Sequence, residues 1–144
     1  MRTRFYWTQR FPAHRTLIIG HSYQPITGGG MPPEDVVESY GASRYCMDRW
    51  TRLAIDAKAA WRRLRQGWNQ YSVLREYQTD YILETARTWH GPIGRFHLTV
   101  DKLKAGNILS LCWDGPLAKT GPTTYEFTAV NFTPARDIRM LVLE

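Results

Sequence analysis

The sequence predicts an α+β domain in which a mostly antiparallel sheet, built from strands at both ends of the chain, packs against a central helical hairpin. Three observations carry this expectation. Segments at both ends are rich in β-branched and aromatic residues and tend to alternate between apolar and polar positions. The middle of the chain repeats apolar residues at steps of three and four, the spacing of one helix face. Glycine and proline cluster between these segments, where turns belong. With 144 residues, the chain has the length of one domain able to bury a core. No internal repeat or composition break divides residues 1–144.

The elements follow in order. Phe5-Tyr6-Trp7 and Thr16-Leu17-Ile18-Ile19 read as strands separated by Pro12. Residues 24–33 read as a loop, with Gly28-Gly29-Gly30 at its centre and Pro32-Pro33 preparing a helix start. The triple glycine lacks the Lys-Ser/Thr ending of a phosphate-binding loop, so it reads as a connector. A short helix is expected over Pro33–Tyr40. A longer one is expected from Ser43, a good capping residue, to Gln66, with Met47, Trp50, Ala54, Ala57, Trp61 and Leu64 as its buried stripe. A third helix is expected from about Gln70 to Thr88, with Val73, Leu74, Tyr77 and Tyr81 inward. The link Gly67-Trp68-Asn69 would make the last two an antiparallel pair. Beyond Gly91-Pro92 the chain returns to strands at Arg95–Val100, Ile108–Trp113, Tyr125–Phe132 and Ile138–Leu143, punctuated by Asp114-Gly115-Pro116 and Gly121-Pro122.

Composition narrows the class. Hydrophobic residues make up 43% and charged residues 22% of the chain, a globular balance. The formal net charge is +6 and the pI about 9.6, a basic surplus that attracts polyanions. Six tryptophans and eight tyrosines supply core, stacking or interface residues. Cys46 and Cys112 form neither a disulfide framework nor a metal-binding spacing, and they are expected as buried thiols in a reducing compartment. No apolar run approaches the length of a membrane span, and the start of the chain lacks the apolar core of a signal peptide. The expected location is the cytoplasm, the cell's own or that of a host, with no membrane partner.

The charges on the helices have two readings, a phosphate-binding stripe of Lys58, Arg62 and Arg65 and a structural pairing, of which the structural one is favoured. Lys58, Arg62 and Arg65 share one edge of the second helix, and Glu76, Asp80 and Glu84 share one edge of the expected third. Facing each other across the pair, they would form an ion-pair ladder. Asp48, Arg52 and Asp56 are spaced for pairing within the second helix. That leaves Arg2, Arg4, Arg10 and Arg15, interleaved with Phe5, Tyr6, Trp7 and Phe11. Arg4, Tyr6, Trp7 and Arg10 are the candidate contacts to nucleic acid or a protein partner, because bases stack on aromatic rings beside cations.

One constellation points to chemistry. His14-Arg15-Thr16-Leu17 and His97-Leu98-Thr99-Val100 share the pattern His-x-Thr followed by an apolar residue. In a strand, the period of two puts each His and Thr on one face. Two such strands side by side would join two imidazoles and two hydroxyls. One imidazole would take a proton from the attacking oxygen and the other would protonate the leaving oxygen. Hydroxyls and a neighbouring Arg15 or Arg95 would stabilise charge on the phosphate oxygens. No metal or cofactor is needed for this chemistry.

These two tetrapeptides resemble the paired motifs of the 2H phosphoesterase superfamily. The resemblance implies catalytic His14 and His97, with Thr16 and Thr99 binding phosphate. It also implies a metal-independent phosphodiesterase acting on RNA or cyclic oligonucleotides, as in phage counter-defence members of that family. The competing expectation is a basic binding module without catalysis. Small accessory proteins of phages and mobile elements that inhibit a host nucleic-acid complex, some anti-CRISPR proteins among them, set the precedent. Its partner would be nucleic acid, a nucleotide or a host protein complex.

Overall fold

The apolar run Ile138–Leu143 organises the first of two sheets. In the computed structural model, the described residues are 6, 8–22, 24, 30–31, 43–66 and 74–144. They form β1 (Gly30–Met31), α1 (Arg49–Gln66), β2 (Leu74–Tyr81), a 3₁₀ turn (Glu84–Thr88), β3 (Ile93–Asp101), β4 (Ile108–Cys112), β5 (Ala118–Lys119), β6 (Thr124–Phe132) and β7 (Ile138–Leu143). Residues 43–45 make a further helical turn before α1. The first sheet has the order β1-β2-β7-β4 and the second β3-β6-β5. Every pairing is antiparallel. The α+β class and the sheet-dominated architecture are therefore as expected, and the four strands expected after Gly91-Pro92 are present as β3, β4, β6 and β7.

Leu141, Val142 and Leu143 are successive and buried, so β7 is covered on both faces over this stretch and both of its edges need hydrogen-bonding partners. β4 takes one edge, with Leu141 opposite Ser110, and β2 takes the other, with Leu141 opposite Gln78. This requirement overturns the expected third helix. Residues 74–81 are a strand, and among the described residues of that span only Glu84–Thr88 is helical, as a 3₁₀ turn. The helical pair is therefore a helix and a strand. Leu74, Tyr77 and Tyr81 fit a helix spacing, but pairing with β7 outweighs that local preference. The ion-pair ladder goes with it. Glu76 is buried on β2 and accepts from Gln78 Nε2 at 3.2 Å, and Asp80 pairs with Arg44 at 3.2 Å.

One face of the first sheet carries the core. Leu74, Leu141 and Leu143 pack with Tyr45, Met47 and Ile55, and Ile108 lies against them. Burying a side chain such as Leu141 stabilises the fold by about 2 kcal/mol. The long helix is broken at 46–48 and restarts under Asp48, whose Oδ1 accepts from Thr51 N at 2.7 Å. Asp48, rather than Ser43, therefore caps α1. The inward face of α1 is Ile55 and Ala59, flanked by the half-buried Lys58 and Arg62. Of the expected stripe Met47 is buried, ahead of α1, but the positions on α1 are turned away: Trp50 is 64%, Trp61 55% and Leu64 86% exposed.

The second sheet closes over an aromatic cluster. Phe96, Phe127 and Phe132 surround Trp113, with Phe96 stacked on Trp113 at 5.7 Å and on Phe132 at 4.6 Å. Trp113 follows β4 directly, so it ties the first sheet to the second. The expected single sheet is thus two. β5 and β6 complete the second sheet beside β3.

Three further expectations change. Thr16–Ile19 forms no strand, and Ile18 is 92% exposed. Gly30, expected in a loop, pairs with Arg75 as part of β1. Cys46 and Cys112 are joined by a disulfide, with Cα atoms 5.0 Å apart, instead of standing as thiols. The break before α1 brings Cys46 to the end of β4, a juxtaposition that their separation of 66 residues does not reveal. The expected helix at 33–40 and the strand reading of Phe5 and Trp7 lie outside the described residues.

Candidate functional site

The second His-x-Thr motif forms as its spacing predicts. His97 and Thr99 share the solvent face of β3, and Thr99 Oγ1 lies 3.0 Å from His97 Nε2. His97 Nδ1 lies 2.9 Å from Thr128 Oγ1 on β6, directly across the ladder. Both imidazole nitrogens therefore have hydroxyl partners. Arg95 lies on the same face by strand alternation and is exposed.

The first motif takes a different form. His14 sits in a turn with φ 57°, the left-handed region, so His14 and Thr16 do not alternate along a strand. His14, Arg15 and Thr16 are all exposed. β3 is paired with β6 and with no strand from the N-terminal segment among the described residues. The side-by-side strands that would join the two motifs are absent there. Of the other candidate contacts, Tyr6 is 91% exposed and Arg10 is exposed, while Arg4 and Trp7 lie outside the described residues.

The helix α1 presents a second candidate, whose tryptophans the spacing predicts as core. Its 18 residues hold Arg49, Arg52, Lys58, Arg62, Arg63 and Arg65 against one acid, Asp56. At each end an arginine lies over an exposed indole. The Arg49 guanidinium is 4.7 Å from the Trp50 ring centre, and that of Arg65 is 4.4 Å from Trp61. Such stacking orients the cation while leaving its donors in water. The two indoles are about 16 Å apart along the helix axis at the usual rise per residue, with Leu53, Ala57 and Leu64 exposed around them.

The inward cations of α1 have a different task. Lys58 Nζ donates to Gly106 O at 2.8 Å and Leu143 O at 3.4 Å, and Arg62 Nη2 donates to Glu144 O at 2.9 Å. Burial, and then the charge of Arg62, pull the Lys58 ammonium below its usual range. The Glu144 carboxylate accepts from Lys104 and from Tyr77 Oη, which hold its pKa below the ordinary value. A groove of about 770 Å³ runs between these groups and the Trp61 side of the helix. The available sequence signal was Arg49-Trp50 at the start of α1 and Trp61 with Arg65 one helical turn on at its end, and the helical spacing of the tryptophans disguised it as core.

These features define a disulfide-clamped, two-sheet α+β domain with a basic, aromatic helix facing solvent. The chain belongs to the family described as a domain of unknown function, DUF4424, whose family model matches residues 1–141. No curated protein and no solved structure matches it.

Proposed function

We propose that the domain is a non-enzymatic module that binds an anionic macromolecule through the outward face of α1, with nucleic acid as the partner. The carrying observation is the pair of arginine-backed indoles, Arg49 on Trp50 and Arg65 on Trp61, on a helix whose exposed cations are Arg49, Arg52, Arg63 and Arg65. Exposed indoles offer stacking surfaces to unpaired bases, and the arginines neutralise phosphates. The net charge of +6 adds attraction over longer range. The Cys46–Cys112 bond argues for a compartment that keeps thiols oxidised, and against the cytoplasmic placement expected from the sequence. No described helix is long and apolar enough to cross a membrane.

A second reading, the phosphodiesterase, draws support from the His97–Thr99 contact of 3.0 Å on an exposed face. In that reading His97 acts as acid or base, Thr99 and Arg95 hold phosphate, and the roles implied for His14, Thr16 and Arg15 need a second element brought to β3.

One experiment addresses both. Fluorescence anisotropy follows a labelled single-stranded oligonucleotide in low and high salt, with EDTA present, and a gel afterwards reports cleavage. The binding reading expects affinity that falls steeply with salt, a loss of about tenfold or more in the Trp50→Ala/Trp61→Ala variant, and an intact oligonucleotide. Heparin, which has charge but no bases, should bind both proteins alike. No binding at low salt, or equal binding by the variant, refutes the α1 reading. Cleavage by the wild type that His97→Ala abolishes supports the second reading instead.

A further inference from the structure

β3 ends the second sheet. It runs for nine residues, Ile93–Asp101, and β6 is its hydrogen-bonded neighbour on one side. On the other side no described strand covers it, so a row of backbone donors and acceptors faces outward. Proteins blunt such edges with lysine, proline, a bulge or an inward charge. Within β3 there is no lysine or proline, and its inward positions are Phe96, Leu98 and Val100. Its two charges, Arg95 and Asp101, have opposite signs, are both exposed, and stand three residues either side of Leu98.

That symmetry selects a partner. We propose that β3 pairs antiparallel with β3 of a second copy of this chain, about a twofold axis at Leu98. In this register Arg95 lies opposite the partner's Asp101, and Asp101 opposite the partner's Arg95. Phe96 meets the partner's Val100, His97 meets the partner's Thr99, and Leu98 meets the partner's Leu98. Every cross-strand pair is apolar, polar or oppositely charged, and no like charges face each other. A shift of the axis by one residue to His97 would set Arg95 against Thr99 and one His97 against the other, losing both ion pairs. The perpendicular twofold keeps Phe96, Leu98 and Val100 of both copies on the same side, so the aromatic cores form one layer. The product is a six-stranded sheet running β5-β6-β3 and then β3-β6-β5 of the partner. The interface is isologous, as in most homodimers. It lies on the second sheet, uses none of the residues of α1, and does not depend on what α1 binds.

The test is sedimentation equilibrium of the whole chain over a concentration series, with two charge reversals. The wild type should be a reversible dimer. Arg95→Asp places Asp against Asp at both ends, and Asp101→Arg places Arg against Arg, so each alone should weaken dimerisation by about tenfold or more. Mixed together, the two variants restore both opposite-charge contacts and should form a heterodimer. Asp101 also accepts from Leu103 N at 2.8 Å, so circular dichroism checks that Asp101→Arg remains folded. Hydrogen exchange on the wild type needs no variant: alternate amides along β3 should gain protection as concentration rises. A wild type that stays monomeric throughout, variants that dimerise as well as it does, or a mixture that forms no heterodimer overturns the proposal.

Discussion

Reducing the Cys46–Cys112 bond should be the largest single perturbation to the stability of this domain that leaves its sequence unchanged. The bond closes a loop of 66 residues, which includes all of α1, β2 and β3. Restricting an unfolded chain over a loop of that length corresponds to about 4 kcal/mol of stability in the chain-entropy treatment. The folded state loses little on reduction, because the segment before α1 keeps other anchors. Ser110 Oγ donates to Tyr45 O at 2.8 Å, and Tyr45 and Met47 remain in the core. The effect is therefore carried by the unfolded state. The assay is urea unfolding followed by tryptophan fluorescence, with and without a dithiol reductant, beside the Cys46→Ser/Cys112→Ser variant. With a urea slope of about 2 kcal/mol per molar, the midpoint should fall by roughly 2 M. Reduced wild type and the double variant should coincide. Thiol titration of the unfolded, unreduced protein should find no free cysteine, since both are in the bond. Two reactive thiols before reduction, or a midpoint unmoved by reductant, would refute the reasoning.

Two further predictions concern single side chains. Asp48→Ala removes the cap on Thr51 N and should cost about 1 kcal/mol, measured by the same unfolding. Hydrogen bonds from Thr51 hold the Asp48 carboxyl below its ordinary value of 3.8. The cap's contribution is therefore whole above that value and is lost as pH falls through the lower folded pKa, so the gap between wild type and Asp48→Ala should close only in acid. Gly115→Ala would drive a methyl into the Phe127 ring, whose Cδ2 and Cζ lie 2.7 and 2.9 Å from the ideal Cβ position. Displacing a ring of the aromatic cluster should destabilise the domain by about 1–3 kcal/mol, and an unchanged thermal midpoint would show that the ring yields freely.

The C-terminal half of the fold was legible because its signals are local. Ile138–Leu143 is apolar apart from Arg139, and Arg95–Val100 alternates, so strand was the economical reading of both. The same locality made half of the candidate site readable. His97 and Thr99 are two residues apart on a strand, so backbone geometry puts them on one face, where their side chains meet at 3.0 Å. Residues 74–81 were not legible in the same way. Their apolar positions suit a helix as well as a strand, and the decision came from the bare edge of β7, more than fifty residues away in the chain.

The tryptophans of α1 show the limit most clearly. Steps of three and four establish that Trp50, Ala54, Ala57, Trp61 and Leu64 share a face, and the helix bears this out. Which face turns inward depends on what lies opposite, and the first sheet meets Ile55 and Ala59 instead. The sequence by itself determined the class of fold, the C-terminal strands, the helix and the His97–Thr99 pair, all consequences of spacing along a regular backbone. The tertiary structure alone decided that the cysteines join, that the two histidine motifs take different local forms, and that the arginine-backed indoles face solvent. These depend on contacts between distant segments, and the energy of such contacts is not written in any local period.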